Sequence, residues 1–101
     1  MFEYLENDDF LSDKSIILKS YPKGVQSKLF SLVNDIITNP RNKIAVGKPE
    51  ELKYTDIEKW SRELTKKDRI VYSIEPGLQH NMPDVEEVVI FHQYLGHYDD
   101  K

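Results

Sequence analysis

Six side chains in this sequence are of the types that together can break a phosphodiester bond. They are Glu50, Lys53, Arg62, Arg69, His97 and Tyr98. A carboxylate or an imidazole can take the proton from an attacking hydroxyl, a second such group can protonate the leaving oxygen, and a fixed guanidinium can meet the charge that builds on phosphorus. Such a set works without a metal ion, so the residues predict metal-independent chemistry.

Each of these residues also has an ordinary structural role open to it. Glu50 could be an acid in a loop, Arg69 a salt-bridge partner at the end of a strand, and His97 part of a frayed terminus. The residue types by themselves therefore leave both interpretations open.

Charge is divided unevenly along the chain. A net charge of −4 disfavours a general nucleic-acid-binding surface, which needs clustered Lys and Arg. Between residues 41 and 69, however, nine Lys and Arg stand against six Asp and Glu, a net charge of +3. The rest of the chain has five bases against twelve acids, a net charge of −7. The basic segment could attract phosphate, although a solvated charged surface explains the same pattern.

The length of 101 residues predicts a single domain over residues 1–101. No apolar run approaches the roughly 18 residues that a membrane span requires, and the first residues, "MFEYLENDDF", are acidic where a signal peptide would be basic. These features predict a cytoplasmic protein without a membrane partner. The sequence has no Cys, which excludes disulfides and thiolate chemistry.

Hydrophobic patterning predicts the elements that must position the candidate residues. "MFEYLE" alternates like a short strand. "NDDFLSDKSIILKSY" offers helix caps followed by helical spacing, although its "SIIL" would also suit a strand. A second helix begins near Pro22 and ends before Pro40. Its apolar stripe consists of Val25, Leu29, Phe30, Val33, Ile36 and Ile37.

Three strand-like runs follow a basic loop: "DIEKWSREL", "DRIVYSI" and "EEVVIFHQYL". The short connections between them are rich in turn-forming residues, which favours antiparallel neighbours. Trp60, the only tryptophan, is expected in the core. The order β-α-α-β-β-β predicts an α+β fold of two layers, in which two N-terminal helices pack on a mostly antiparallel sheet.

Neither a metal nor a cofactor is predicted. His80, His92 and His97 do not have the spacing of a zinc site. The four Gly residues are scattered and form no phosphate-binding motif.

Four separated segments, "GKPEELK", "KWSREL", "KKDRIVYSI" and "LGHY", closely resemble the YoeB/Txe family within the RelE superfamily of bacterial toxins. The resemblance is strong over residues 47–74, returns at 96–98 and is only architectural over roughly the first forty residues. It implies a RelE-like fold and a ribosome-dependent endoribonuclease that cleaves mRNA in the ribosomal A site and so inhibits translation. The implied partners are a cognate YefM/Axe-like antitoxin, the ribosome and mRNA, and the resemblance also allows a homodimer.

The resemblance implies a role for each candidate residue. Glu50 would be the general base that activates the 2′-hydroxyl of the RNA, and His97 the general acid or a transition-state partner. Arg69 would stabilise the charged phosphorane, and Tyr98 would stack on or orient a base. The RNA contacts would be basic residues, namely Lys48, Lys53 and Arg62.

Some positions depart from the family pattern. Glu63 stands where many relatives have a second base, and Leu95 where a basic or polar residue is common. The last hairpin is longer and more acidic than usual, and "DDK" follows the terminal His-Tyr pair. These departures lower the expected affinity for RNA. They leave two alternatives: a non-enzymatic member that binds a protein target such as DNA gyrase, and one that binds only its antitoxin. Retention of all four implied catalytic residues favours the nuclease.

Overall fold

The computed structural model describes residues 1–53 and 56–93, and its α-helices and strands follow the predicted order with one added strand. The elements are β1 (Glu3–Glu6), α1 (Asp8–Ser20), α2 (Lys23–Thr38), β2 (Glu50–Glu51), β3 (Glu58–Glu63), β4 (Arg69–Pro76) and β5 (Glu87–Gln93). A short 3-10 helix, Gly77–His80, lies between β4 and β5. The addition is β2, because the sequence predicted a loop at Glu50 and the structure has a two-residue strand there.

The strands form one sheet in the order β1-β5-β4-β3-β2. Strand β1 lies parallel to β5, whereas every other neighbouring pair is antiparallel. Parallel neighbours cannot be joined by a tight hairpin, and the connection that leaves β1 begins with α1 and α2. The predicted α+β fold, with two N-terminal helices on a mostly antiparallel sheet, is confirmed.

Helix α1 includes the ambiguous "SIIL" run. The side chain of Asn7 caps it, because Asn7 Oδ1 accepts a hydrogen bond from the amide of Phe10 at 3.0 Å. The buried residues of the helix are Phe10, Asp13 and Ile17. Spacings of three and four residues put these side chains on one helical face, which a strand could not do.

Helix α2 runs from just after Pro22 to Thr38, as predicted. Its buried residues are Leu29, Leu32, Ile36 and Ile37. The prediction that Phe30 belongs to this buried stripe is wrong, because Phe30 is 52% exposed. At about 100° per residue, Leu32 follows Ile36 on one side of the buried face, whereas Phe30 lies beyond Ile37 on the other side. Within residues 1–53 and 56–93, no helix is long and apolar enough to span a membrane.

The core lies between the two helices and one face of the sheet. Trp60, Tyr72 and Phe91 come from three adjacent strands and belong to the same buried cluster. The ring of Phe10 stacks on Phe91 with a centroid distance of 4.8 Å. Trp60 is 2% exposed, which confirms its predicted place in the core. Side chains alternate along a strand, so the residues that precede and follow each of these aromatics in sequence have their side chains on the opposite face of the sheet. This face is here called the outer face.

Candidate active site

The segment of residues 46–49, here called the Gly47 loop, leads directly into β2. Gly47 has φ +86° and Lys48 has φ +47°, so two successive residues adopt the left-handed conformation that favours glycine. A Cβ atom on Gly47 would lie 2.7 Å from Leu32 Cδ2 and 3.2 Å from the carbonyl oxygen of Glu63. Only glycine therefore fits this position, both for its conformation and for lack of space. The non-glycine Lys48 at positive φ indicates a strained segment that its surroundings hold in place.

Glu50 lies on the outer face because of the register of β2. Its Cα pairs with that of Ser61 in β3, which in turn pairs with Val71 in β4. Residues directly opposite each other in a sheet share a face, and Ser61 alternates with the core residue Trp60. The Glu50 side chain is 63% exposed, so its carboxylate is accessible to a substrate on the outer face.

Arg69 begins β4 and lies beside Glu50. Its Nη2 atom is 3.6 Å from Glu50 Oε1. Arg69 Nε donates a hydrogen bond to Ser61 Oγ at 2.9 Å, and Nη2 donates one to the carbonyl oxygen of Lys48 at 3.2 Å. These contacts hold the guanidinium in one orientation next to the carboxylate. The fold thus brings together two of the four side chains that the sequence singled out for catalysis.

The two lysines predicted to contact RNA lie close to Glu50 in sequence but differ in their surroundings. Lys48 Nζ is 3.4 Å from Glu63 Oε1, and its side chain is 84% exposed. Glu63, one of the departures from the family pattern, thus partly neutralises Lys48. An exposed ion pair of this kind stabilises a protein by only about 0–1 kcal/mol, so Lys48 can exchange this partner for a phosphate at little cost. Lys53 lines the cleft described next.

A cleft of about 670 Å³ opens beside Glu50. Two lysines, Lys53 and Lys59, line it together with three acidic residues, Asp9, Glu50 and Glu51. Arg69 adjoins this cleft through its contact with Glu50 and does not line it. The mixture of charges means that the cleft can hold both a phosphate and groups that donate hydrogen bonds.

Arg62 is a correction to the sequence-based site. The resemblance implies an RNA contact, but the Arg62 side chain is 0% exposed and forms an ion pair with Asp35 of α2. Arg62 shares the core face of β3 with Trp60 and Leu64, because the three residues are spaced two apart. A guanidinium enclosed beneath the sheet cannot reach RNA, so the predicted RNA contact is wrong.

His92 and Asn7 line the cleft, although the sequence did not indicate a site role for either of them. Asn7 Nδ2 lies 3.3 Å from His92 Nδ1, and His92 Nε2 lies 2.8 Å from Ser73 Oγ. Since Asn7 Oδ1 already accepts the capping bond of α1, its amide must present NH₂ to His92. His92 then accepts at Nδ1 and donates from Nε2, as a neutral imidazole does. The alternation of β5, with Phe91 in the core, was the sequence signal that could have placed His92 on the outer face.

His97 and Tyr98, the other two predicted catalytic residues, lie outside the described residues. The last described residue of β5 is Gln93, which lines the cleft. Over residues 1–53 and 56–93, no group of three or more His, Cys, Asp or Glu could hold a metal ion.

A family model describing the YoeB-like toxin of bacterial type II toxin–antitoxin systems matches residues 7–98 of this chain. The chain belongs to this family. The match covers the Gly47 loop, Glu50, Arg69 and the terminal His-Tyr pair, and it makes the protein a toxin of a toxin–antitoxin system. No curated protein matches the sequence significantly.

Solved structures share the fold of this YoeB-like toxin at low sequence identity. The YoeB/ParE toxin from Agrobacterium tumefaciens has a TM-score of 0.75 and 21% identity, covering 96% of this chain and 100% of that chain. The YoeB dimer from Staphylococcus aureus has a TM-score of 0.69 and 20% identity, covering 96% of this chain and 98% of that chain. The heterotetrameric YoeB-YefM toxin–antitoxin complex from Staphylococcus aureus has a TM-score of 0.71 and 19% identity, covering 97% of this chain and 99% of that chain. At these identities the likeness establishes the fold alone.

Two half-buried titratable groups of the toxin are coupled on the outer face: His92, which lines the cleft, and Glu75, with which it shares the hydroxyl of Ser73. Burial, reinforced by the positive charge of Lys59, lowers the pKa of His92 below its usual value, although Glu75 opposes the shift. Burial also acts to raise the pKa of Glu75, but hydrogen bonds from Ser73 and His80 outweigh it and the pKa is lowered. His92 is therefore neutral and Glu75 ionised near pH 7, as the hydrogen-bond directions require.

The lowered pKa of His92 predicts a pH-dependent stability. When the pH falls below the unfolded-state pKa of about 6.5, the unfolded chain takes up a proton that folded His92 resists, so the free energy of unfolding decreases. This contribution is fully present above that pKa, and its loss amounts to at most about 1.4 kcal/mol per pH unit below it. Urea denaturation at several pH values should show a steeper decrease in wild type than in His92→Gln. Identical pH dependence in the two proteins would contradict the assignment.

Proposed function

We propose that this YoeB-like toxin is a ribosome-dependent endoribonuclease that cleaves mRNA in the ribosomal A site and thereby inhibits translation. The observation that carries the proposal is the contact between Glu50 and Arg69, 3.6 Å apart beside a cleft on the outer face. At this separation, the carboxylate of Glu50 can accept a proton from a ribose hydroxyl while the guanidinium of Arg69 binds the adjacent phosphate. Family membership supports the same assignment.

The chemistry follows from the properties of these two side chains. Glu50 takes the proton from the 2′-hydroxyl, whose oxygen forms a bond to phosphorus while the bond from phosphorus to the 5′-oxygen breaks. The products are a cyclic phosphate and a free 5′-hydroxyl. Arg69 remains charged at every physiological pH, and its planar fork matches two phosphate oxygens. In the free toxin the opposite charges of Glu50 and Arg69 neutralise each other. In the complex with mRNA, Glu50 contacts the 2′-hydroxyl and Arg69 contacts the phosphate.

The leaving 5′-oxygen needs a proton, and we assign its delivery to His97. An imidazole with a pKa near 6.5 can serve as donor or acceptor near neutral pH. His97 follows Gln93, which lines the cleft, by four residues, and four extended residues span at most about 14 Å. Tyr98, next in the chain, supplies a ring on which an unstacked base can rest, the usual mode of single-stranded RNA recognition. Lys48 and Lys53 then contact flanking phosphates.

Ribosome dependence accounts for the acidic character of the toxin. A nuclease that had to capture free RNA would need a strongly basic surface, whereas this chain has a net charge of −4 and an acid, Glu63, paired with Lys48. On the ribosome the mRNA is already held in place, so the toxin supplies catalytic groups rather than affinity. The partner that restrains it is a cognate antitoxin of the YefM/Axe type, and a homodimer is the proposed free form.

The proposal is tested by primer extension on mRNA in translating ribosomes and on the same mRNA without ribosomes. Cleavage is expected only in the presence of ribosomes, at the codon in the A site, and should disappear when the cognate antitoxin is added. A protein that arrests growth but cuts no mRNA would instead favour the alternative in which the toxin binds a protein target such as gyrase.

A further inference from the structure

Three successive backbone carbonyls of the Gly47 loop each accept a hydrogen bond from the sheet. The carbonyl of Val46 accepts from Arg62 Nη1 at 3.3 Å, and that of Gly47 accepts from the amide of Glu63 at 2.6 Å. The carbonyl of Lys48 accepts from Arg69 Nη2 at 3.2 Å. Two residues after the last of these carbonyls, the chain reaches Glu50. The loop that carries the proposed base is therefore held residue by residue against β3 and β4.

Of these three donors, Arg62 is the one that approaches the loop from the protein interior. Its side chain is 0% exposed, and its Nη1 atom contacts both the carboxylate of Asp35 in α2 and the carbonyl of Val46. Arg62 Nη2 also lies 3.4 Å from the carbonyl of Asn39, just after α2. One guanidinium thus connects helix α2, the chain that follows it and the Gly47 loop.

Stability alone does not explain a buried arginine here. Removing a guanidinium from water is costly, and apolar residues of similar volume often serve a core equally well or better. In addition, Arg62 Nε has no hydrogen-bond partner in the described part of the chain, residues 1–53 and 56–93, and a buried donor left unpaired destabilises the fold. Solvent also screens the attraction to Asp35, whose side chain is 38% exposed.

The loop itself requires an external restraint. Gly47 and Lys48 both have positive φ, and Lys48 is not a glycine. Backbone strain of this kind persists only where surrounding contacts hold it, and it is concentrated at functional sites. A free loop would relax toward ordinary conformations and would move Glu50 relative to Arg69.

We propose that Arg62, oriented by Asp35, is a positioning residue that holds the Gly47 loop in its strained conformation and so keeps Glu50 beside Arg69. The expected effect on cleavage rests on the proposed function. The restraint of the Gly47 loop by Arg62 does not depend on it. It also replaces the RNA contact that the sequence predicted for Arg62: the residue acts from beneath the sheet, through the backbone of the loop, and does not touch the substrate.

The test uses the full-length toxin with Arg62→Met and Asp35→Asn combined, so that no unpaired charge is left. We expect a melting temperature within about 5 °C of wild type, because a buried ion pair contributes little net stability. Hydrogen exchange of the Glu63 amide, the backbone donor to the Gly47 carbonyl, should accelerate about tenfold, the equivalent of one charge-assisted hydrogen bond. The single-turnover cleavage rate on ribosomes should fall about ten- to a hundredfold through misplacement of Glu50, while the Kd for the ribosome stays within about twofold.

Arg41→Met is the matched control. Arg41 also forms ion pairs, with Glu58 and Glu87, but these lie away from the Gly47 loop. This variant should leave both the exchange of the Glu63 amide and the cleavage rate at their wild-type values. If exchange and cleavage change in the double variant but not in Arg41→Met, the effect comes from the positioning of the Gly47 loop and not from a general loss of ion pairs.

A stable double variant in which the Glu63 amide exchanges at the wild-type rate would overturn the proposal. If the double variant fails to fold, Arg62→Lys decides the question, because lysine retains the charge opposite Asp35 but lacks the planar fork that also reaches the carbonyls. Unchanged exchange in a folded Arg62→Lys protein would likewise overturn it. If wild type itself cuts no mRNA on ribosomes, the proposed function fails, and the exchange measurement still reports on Arg62.

Discussion

Replacing Glu50 with Gln is expected to slow mRNA cleavage on the translating ribosome by about a hundredfold or more, the usual contribution of a positioned general base. The amide of Gln has nearly the same shape as the carboxylate, so the pairing of β2 with β3 should persist. It cannot, however, accept the proton of the 2′-hydroxyl. The single-turnover rate, followed by primer extension at saturating toxin, measures the effect directly.

The neighbouring carboxylate provides the control for this experiment. Glu51 is exposed and lines the cleft, like Glu50, but its Cα pairs with that of Trp60, whereas Glu50 pairs with Ser61 and contacts Arg69. Glu51→Gln removes the same charge from the same short strand and should change the rate by no more than about fivefold, which corresponds to an exposed electrostatic effect of roughly 1 kcal/mol. Equal rates for wild type and Glu50→Gln would eliminate Glu50 as the base. Equal losses in both variants would reduce the effect to general electrostatics.

Arg69→Ala should reduce the cleavage rate about a hundred- to a thousandfold, since a preorganised group that stabilises transition-state charge typically contributes this much. The loss should appear in the rate of the chemical step more than in ribosome affinity, because the guanidinium meets charge that develops only as the phosphorane forms. Rapid-quench measurements over a range of toxin concentrations separate the two quantities.

Arg69→Lys distinguishes charge from geometry at this position. Lysine keeps the positive charge but cannot contact Ser61, the Lys48 carbonyl and a phosphate through one planar fork. We expect an activity between those of wild type and Arg69→Ala. The ion pair of Arg69 with the largely exposed Glu50 should contribute no more than about 1 kcal/mol to stability. Arg69→Ala also loses the hydrogen bonds to Ser61 and to the Lys48 carbonyl, about 1 kcal/mol each, so it should unfold at a moderately lower urea concentration than wild type. Full activity in Arg69→Ala would remove Arg69 from the mechanism.

The elements of the fold could be predicted where the period of the hydrophobic pattern was unambiguous. Helix α2 is bounded by two prolines and carries an apolar stripe, so both its type and its limits follow from local chemistry. The "SIIL" run in α1 was open to two interpretations, because three consecutive apolar residues, two of them β-branched, suit either element. Packing decided it, since Phe10, Asp13 and Ile17 can be buried together only on a helix.

The candidate site was predicted less completely, and Arg62 shows why. Its spacing from Trp60 put the two residues on one strand face, but charged side chains are so rarely buried that an RNA contact was the more natural interpretation. The partner that makes burial tolerable, Asp35, lies 27 residues earlier in the chain. Likewise, β2 is only two residues long, too short for any alternation to be recognised.

The sequence by itself determined the family, the order of helices and strands, and the identity of Glu50 and Arg69 as candidates, because short motifs and hydrophobic periods are properties of neighbouring residues. Only the tertiary structure decided that Glu50 lies 3.6 Å from Arg69, that Arg62 is internal and that His92 and Asn7 border the cleft. Each of these depends on strand register and on contacts between distant segments. Such contacts arise when the whole chain buries its apolar surface at once, and no local pattern records them.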